Sequence, residues 1–356
     1  MNIDYPLLLQ PRYDERPWGG RRLARQLGKP LPESARIGES WETTGVARVG
    51  NGPLAGATLQ ELVEHDPEAL LGDRGRAASA PFGDFPLLAK FIDAHETLSV
   101  QVHPDDVEAA RHGQRGKTEA WHILDTTADS FLITGFRDQV TPALIRVALK
   151  DQRLDQLLER LPVEAGDTII VPAGTVHAIG AGVLLYEIQQ ASDLTYRLYD
   201  WGRRDQRGLP RQLHVEEALS ALRSHLRARR TQPLLFEHGR AALAACRSFL
   251  LQRWVITGSS AYALQPGRTC HILSCIQGQA RVTAGSGQVV IRLGQTVLIP
   301  AALASVILEG TATVLASSVP DLERDVVAPL FARGYDAEAI AQLAGDTQDL
   351  NRLVGR

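Results

Sequence analysis

The chain contains one short pattern twice, and this repeat limits the folds it can adopt more than any other feature. The segment VEAGDTIIVPAGTVHAIG resembles IRLGQTVLIPAALASVIL, so that Gly166 matches Gly294 and Pro172 matches Pro300. Two similar β units in one chain indicate the duplication of a barrel. His177 is matched by Ser305, so the second copy lacks a side chain of ligand type, and we expect it to be structural.

Short β-branched segments, separated by Gly, Pro or Asp, recur in both halves and predict a mainly β protein. In the first half they are TLSVQVH, SFLITGF, DTIIVPAG and VLLYEIQ. In the second half they are SFLLQRWVIT, TCHILSCIQGQARVTA, QVVIRLGQTVLIPA and ASVILEGTATVLAS. Regularly spaced short strands of this kind are typical of an antiparallel sandwich or barrel.

Apolar residues at helical spacing interrupt this pattern. TPALIRVALKDQRLDQLLERL, which ends at Pro162, predicts a helical insertion that covers an outer face, and a second amphipathic stretch runs from His214 to about Leu226. We place a domain boundary near residue 230. The prediction is a first domain over 1–230, a second over 231–320 and a helical tail over 321–356.

The length and charge of the chain narrow the class of partner. At 356 residues the chain is long enough for two domains, and its formal charge of -3 gives no positive field for nucleic acid or an anionic membrane. Three cysteines without metal-type spacing favour reduced thiols. Because neither a signal peptide nor an apolar run of membrane-spanning length is visible, we expect a cytosolic protein with a small-molecule partner.

The segment Thr97–His103 carries the first candidate site residues. If it is a strand, Ser99, Gln101 and His103 point to one face, and Val100 and Val102 point to the other. Such a strand lines a wet cavity with one face and packs its back against a covering layer. Taken alone, these residues favour an ordinary half-exposed strand.

Gly166, Pro172, Gly174 and His177 form the pattern G-x5-P-x-G-x2-H. It resembles the second box of the cupin superfamily, with Ala181 in place of the final Asn. Pro and Gly shape a tight turn that delivers the His side chain inward. A single His after such a turn is more often structural than a metal ligand, so its partners decide the interpretation.

Three segments supply those partners: QVHP at 101–104, GKTE at 116–119 and GTVHAIG at 174–180. In this order and at this separation they resemble the type I mannose-6-phosphate isomerases. The resemblance extends to FPLLAKFIDA before them and QASDLTYR after them. It implies a mainly β fold of two cupin-type jelly-roll barrels with helical insertions, of which the second barrel is degenerate.

The resemblance also implies roles for individual residues. Those matching the zinc ligands of the family are Gln101, His103, Glu119 and His177. Two imidazoles, one carboxylate and one amide leave room for substrate, and by ligand type they would also suit Mn, Fe or Co. The residues matching catalytic groups are Arg197, Lys117 and Asp193. Those matching substrate-binding groups are Ser99 and Lys90 for the phosphate, and Glu39, together with Trp41, in the motif GESWETT.

The implied reaction interconverts mannose 6-phosphate and fructose 6-phosphate through an enediol-type intermediate, with one zinc ion per chain. The general base stays open between Asp193, Lys117 and a metal-activated water. Two other interpretations compete: a different cupin enzyme, such as an epimerase or oxygenase, and a non-catalytic regulatory protein that binds sugar phosphates. We expect a monomer or a homodimer.

Overall fold

The structure is a computed structural model that describes residues 2–204 and 208–355. The strands of the first half are β1 (Leu7–Gln10), β2 (Arg12–Gly20), β3 (Ile37–Trp41), β4 (Arg48–Val49), β5 (Leu87–Ala94), β6 (Val100–Val102), β7 (Glu119–Asp125), β8 (Phe131–Phe136), β9 (Leu158–Pro162), β10 (Thr168–Val171), β11 (Ala178–Ile179), β12 (Val183–Gln190), β13 (Tyr196–Tyr199) and β14 (Arg229–Thr231). Those of the second half are β15 (Leu234–Leu235), β16 (Arg240–Ala245), β17 (Leu250–Ala263), β18 (His271–Ala284), β19 (Gly287–Arg292), β20 (Thr296–Ile299) and β21 (Ser305–Ser318).

The helices are short and lie between the strands and at the carboxyl end. They are α1 (Arg22–Leu27), α2 (Leu59–His65), α3 (Pro67–Ser79), α4 (Asp106–Ala110), α5 (Pro142–Lys150), α6 (Val215–Ala221), α7 (Ala328–Ala332), α8 (Ala337–Gln342) and α9 (Asn351–Val354). Among the described residues, none of these helices is both long and apolar enough to cross a lipid bilayer.

The first half forms a barrel from one large and two small antiparallel sheets. The large sheet has the order β14-β10-β7-β12-β5-β3-β2, and the small sheets are β11-β8-β9 and β13-β6. Ile92 and Trp121 of the large sheet pack in one buried cluster with Leu132 and Ile179 of a small sheet. Helices α5 and α6 cover the outer side of the small sheets, where Ile145 and other apolar side chains are buried.

The second half is a barrel built around one nine-stranded sheet, with the order β15-β16-β17-β21-β18-β20-β1-β4 and β19 paired to β18. Its interior is filled by apolar side chains, among them Ile256, Val282, Leu308 and Val314, which are all fully buried. The two barrels predicted from the repeat are therefore both present.

The two barrels share a core. Phe91 and Tyr186, from the back of the first large sheet, pack in one cluster with Leu251 and Leu315 of the second. This explains why every residue of β5 is buried, since a strand between two cores has no face in water. The amino-terminal strand also crosses over, because Leu7 of β1 pairs with Leu298 of β20. Residues 7–10 thus lie in the sheet of the second barrel, while the division of the chain into domains stays a prediction.

The pairing register repeats between the barrels. Val171, just before Pro172, pairs with Glu119, and Ile299, just before Pro300, pairs with His271. Three residues earlier, Thr168 pairs with His122 and Thr296 pairs with Ser274. Both of these pairs are joined by side-chain hydrogen bonds, of 2.9 Å in the first barrel and 2.8 Å in the second. The duplication therefore extends to individual side-chain contacts.

The predicted helical insertion is only partly helical. Helix α5 begins after Thr141, whose hydroxyl caps the amide of Leu144 at 3.2 Å, and it ends at Lys150. A 3-10 turn follows at Leu154–Leu157, and the last part, Leu158–Pro162, is strand β9 paired with β8. The expectation of helix up to Pro162 was wrong here because leucines at this spacing also suit a strand, and pairing with β8 satisfies the backbone groups.

The other helical predictions are confirmed with adjusted bounds. Helix α6 is shorter than the expected stretch from His214 to Leu226. The tail consists of a π-helix at Leu322–Val327, α7, α8, a 3-10 turn at Gly345–Thr347 and α9. It packs through Leu330 and Ile340 against buried residues of the second barrel, including Leu250.

Candidate functional site

The first barrel opens into a cavity of about 290 Å³ that is lined mainly by polar side chains. Nine of the eleven predicted site residues line it: Glu39, Lys90, Ser99, Gln101, His103, Lys117, Glu119, Asp193 and Arg197. The tenth, His177, is buried directly behind Glu119, with its Nε2 atom 3.3 Å from Glu119 Oε1. Trp41 is buried and packs against Lys90, whose Nζ lies 4.5 Å from the ring centroid.

Local structure explains how distant segments meet here. Gln101 and His177 lie opposite each other in an antiparallel bridge, in which each backbone N–H donates to the other carbonyl at 3.0 Å. Arg197 pairs with Gln101 from the other side, across β13 and β6. Val100 and Val102 point away from the cavity into the covering layer, which confirms the predicted alternation of this strand.

His103, Glu119 and His177 form a buried cluster with metal-ligand geometry. One ligand-type atom from each of them lies within 4.8 Å of the other two. The Nε2 atom of His103 is 3.6 Å from Oε2 of Glu119. Three donors from three separate strands and turns thus converge on one point, with Gln101 beside them.

The hydrogen bonds of both imidazoles leave their Nε2 atoms free for a cation. Nδ1 of His103 donates to the carbonyl of Leu194 at 3.0 Å, and Nδ1 of His177 donates to the carbonyl of Thr175 at 2.9 Å. This arrangement fixes the tautomer and orients each ring, as second-sphere hydrogen bonds do in metal sites. Among the described residues, Nε2 of His177 is buried without a hydrogen-bond partner.

The electrostatics of the cluster also fit a cation. Burial, together with the charge of Lys117, lowers the pKa of His103 well below its ordinary value, and burial lowers the pKa of His177 to about 4. Both imidazoles are therefore neutral, as metal ligands must be. Burial raises the pKa of Glu119, so the ionised carboxylate at this position favours a positive charge beside it.

In the structure, the ammonium group of Lys117 is the positive charge beside the Glu119 carboxylate. Its Nζ lies 2.7 Å from Oε2 of Glu119 and 2.9 Å from Nε2 of His103. A cation thus already contacts two of the proposed ligand atoms, which shows that the donor set accommodates positive charge. The carboxylate, imidazole and amide donors together fit a divalent metal ion with an open coordination position.

A second set of charges lines the cavity wall. Lys90 Nζ is 3.2 Å from Glu187 Oε2, and Nε1 of Trp121 donates to Glu187 Oε1 at 3.0 Å. Burial opposes the ionisation of Glu187, but the charges of Lys90 and Lys117 outweigh it and lower its pKa. The charge of Lys90, expected to hold the substrate phosphate, is therefore already balanced by a buried carboxylate. Its role as a phosphate anchor stays a prediction.

Arg197 lies at the mouth of the cavity. Its Nη1 donates to the carbonyl of Gln212 at 2.8 Å, whereas Nε is buried with no partner among the residues that the structure describes. Burial and then the nearby charge of Arg211 lower the pKa of Arg197. An arginine in this setting favours an incoming anionic oxygen. Asp193 lines the same mouth and is exposed.

Glu187 and Arg16 also belong to the site, but they were not predicted from the sequence. Arg16 binds Glu39 through its Nε at 2.9 Å and its Nη2 at 2.6 Å. A signal for Glu187 was available, since it is the one acidic residue in the mainly apolar segment VLLYEIQ. Arg16 lies far along the chain from Glu39 and carries no such local signal.

Comparisons with known proteins bear on this geometry. Residues 7–122 match the model of the phosphomannose isomerase type I catalytic domain, and residues 241–319 match the mannose-6-phosphate isomerase cupin domain. The mannose-6-phosphate isomerase of Streptococcus mutans is 36% identical over 319 residues, which cover 88% of this chain and 98% of that protein. The chain belongs to the mannose-6-phosphate isomerase family.

Further members of the mannose-6-phosphate isomerase family agree in sequence and fold. Mannose-6-phosphate isomerase ManA of Bacillus subtilis is 37% identical over 328 residues, which cover 88% of this chain and 98% of that protein. A crystal structure of the mannose 6-phosphate isomerase from Bacillus subtilis aligns with a TM-score of 0.79 and 31% identity, over 88% of this chain and 99% of that one. The predicted family and cupin fold are thereby confirmed.

Proposed function

We propose that this chain interconverts mannose 6-phosphate and fructose 6-phosphate, and that one zinc ion held by Gln101, His103, Glu119 and His177 is required. The observation that carries the proposal is the convergence of His103, Glu119 and His177, with donor atoms within 4.8 Å of one another, inside a cavity of about 290 Å³. The activity named for the relatives supports the substrate class. The cytosolic location and the monomeric or dimeric state stay predictions.

The reaction moves a proton between C1 and C2 of the sugar and passes through an enediol-type intermediate, so negative charge develops on oxygen. When bound, a divalent cation supplies Lewis-acid polarisation of the sugar oxygens. The protein must then add fixed positive charge, a proton carrier and a means of orienting the substrate.

Arg197 is proposed to supply the fixed charge. It lines the cavity, its Nε has no hydrogen-bond partner among the described residues, and its strand neighbour is the proposed ligand Gln101. A guanidinium held there stabilises a developing oxyanion without having to reorganise during the reaction.

Lys117 and Asp193 are the candidate proton carriers among the side chains, beside a metal-activated water. Lys117 is buried and lies 2.7 Å from Glu119, whereas Asp193 is exposed at the mouth. We favour Lys117 because a proton carrier must lie close to the reacting carbons, and these are expected beside the metal ligands. Ser99, which is buried and lines the cavity, is proposed to donate its hydroxyl to the substrate phosphate.

The proposal is tested by metal analysis of the purified protein, followed by an assay that couples fructose 6-phosphate formation from mannose 6-phosphate to a reporter enzyme. We expect about one zinc per chain, loss of activity after chelation, and recovery when zinc is restored. Protein that binds the sugar phosphate but never converts it would instead establish a regulatory protein. Iron in the site with consumption of oxygen would establish an oxygenase.

A further inference from the structure

The second barrel has its own cavity, of about 250 Å³, at one end. The pairing register shows that this end corresponds to the metal end of the first barrel. Glu119 pairs with the residue before Pro172, and His271 pairs with the residue before Pro300. His271 therefore takes the place of Glu119, and it lines the second cavity.

The neighbouring strands extend this correspondence. In the first barrel Glu187 pairs with Lys90, and in the second Ala316 pairs with Gln252. Gln252 lines the second cavity as Lys90 lines the first. The duplicated barrel has thus kept the open end but lost the buried carboxylates. Among the described residues, no cluster of metal-ligand type is found there.

Positive charge takes the place of those carboxylates. Four arginines line the second cavity: Arg74, Arg240, Arg268 and Arg324. Asp325 is the one carboxylate among the described lining residues, and burial raises its pKa. Asp321, just outside, pairs with Arg74 and lies 3.9 Å from Arg268. The cavity keeps an excess of positive charge after these pairs are formed.

Arg240 is the most unusual member of this set. Its guanidinium carbon lies 5.8 Å from the ring centroid of Phe236, 5.9 Å from that of Trp254 and 5.8 Å from that of Tyr262. Its Nε is buried with no hydrogen-bond partner in the described part of the chain. The hydroxyl of Tyr262, a residue only 3% exposed, is likewise buried without a partner there.

Unpartnered buried donors are uncommon, because each one loses its hydrogen bonds to water without replacement. Aromatic rings hold the guanidinium in place through cation–π contacts but accept no full hydrogen bond. A ligand that brings anionic oxygens would balance the excess charge of the four arginines that line the cavity. Guanidinium groups match phosphate oxygens in geometry as well as in charge.

We propose that the open end of the second barrel is a metal-independent binding site for a small phosphate ester, no larger than a hexose phosphate. The size limit follows from the two cavities, which have similar volumes of about 250 and 290 Å³. Arg240 and Arg268 bind the phosphate, and the polar side chains of Gln252 and Ser318 face the remainder of the ligand from the cavity wall. This site is independent of the reaction proposed for the first barrel.

The test is calorimetric titration of the full-length, metal-loaded protein with inorganic phosphate and with fructose 6-phosphate. Arg240→Gln is expected to lose one binding event, or to weaken it at least about 10-fold, because one charge-assisted contact is removed. Its kcat at saturating mannose 6-phosphate is expected to match the wild type. The control is Arg253→Gln, which removes the same charge from the neighbouring strand β17, at a residue that lines a different crevice.

A second variant keeps the test valid if Arg240→Gln fails to fold. Arg268 is partly exposed, so Arg268→Gln leaves the core intact and is expected to weaken the same binding event by several-fold. Binding by Arg240→Gln and Arg268→Gln with wild-type stoichiometry and affinity would overturn the proposal. It would also be overturned if the only binding event disappeared in Ser99→Ala, since that event would belong to the first barrel.

Discussion

The two barrels share a strand pattern and a pairing register, yet their interiors differ in buried charge. The first encloses buried charges, among them Lys90, Glu119 and Glu187. At the positions of Lys90 and Glu187 the second barrel carries Gln252 and Ala316, and its centre is filled with apolar side chains. The comparison teaches that the fold supplies a frame, and that a few inward-facing residues decide what the frame can bind.

The difference also separates buried groups that carry chemistry from buried groups that stabilise the fold. Buried charges are expensive to desolvate and are tolerated only when they are paired, as Lys90 and Glu187 are at 3.2 Å. Burial of apolar area, in contrast, stabilises a fold directly. The apolar interior of the second barrel and the core shared between the barrels therefore stabilise the fold without any need for charge pairing.

The largest expected effect comes from removing the side chain that the second copy lacks. His177→Ala deletes one proposed ligand, so we expect bound metal to be lost and kcat/KM to fall at least about 1,000-fold. The matched control is Ser305→Ala at the equivalent position of the second barrel, which should leave both quantities unchanged. Metal analysis and the coupled assay measure both. Wild-type activity in His177→Ala would contradict the proposal that only the first barrel carries a required metal ligand at this position.

Arg197→Ala tests whether chemistry and metal binding are separable within the first barrel. We expect about 100- to 1,000-fold lower kcat with the metal content unchanged, because a fixed charge for the developing oxyanion is removed. The control is Arg281→Ala, which replaces an exposed arginine on β18 and should leave kcat and the metal content unchanged. Loss of metal in Arg197→Ala would show that this residue supports the metal site instead.

Leu308→Ala tests the structural role of the second barrel. Leu308 is fully buried in its core, so we expect a loss of about 2–5 kcal/mol in the free energy of unfolding, with kcat unchanged in the folded protein. Its neighbour Ile307 is 37% exposed, and Ile307→Ala should change stability by less than about 0.5 kcal/mol. Urea unfolding measures both variants. Equal effects of the two substitutions would contradict an apolar packed interior.

His122 and Ser274 occupy equivalent positions and offer the subtlest comparison. Burial, and then the charge of Arg253, lowers the pKa of His122 to about 4, below the value of about 6.5 in an unfolded chain. The unfolded state therefore binds the extra proton first as the pH falls. The contribution of neutral His122 to the free energy of unfolding is complete above about pH 6.5. It is lost as the pH falls towards 4, at up to about 1.4 kcal/mol per pH unit.

His122→Ser copies the second barrel and keeps a hydroxyl beside Thr168. We expect its free energy of unfolding to fall less steeply than that of the wild type between pH 6.5 and pH 4. Urea unfolding at several pH values measures the difference, to which the other histidines contribute equally in both proteins. Parallel pH profiles would show that His122 is not held neutral in the native state.

Much of the site could be predicted because its residues lie in short motifs whose shape is local. The turn from Pro172 to His177 and the alternation from Ser99 to His103 depend only on neighbours in sequence. The pairing of β1 with β20 and the contact of Arg16 with Glu39 depend on tertiary packing, which leaves no periodic trace. Leu158–Pro162 was assigned to a helix because leucine spacing there fits both structures, and only the edge of β8 decides between them.

The pairing of β1 with β20 has a consequence for synthesis on the ribosome. Leu7 is translated long before its partner Leu298, because most of the sequence lies between these two residues. At about 5–20 residues per second, this delay amounts to tens of seconds, during which the apolar strand stays exposed to water without its partner strand. Pairing between residues so far apart in sequence closes a long loop, so this step is expected to be among the slow steps of folding.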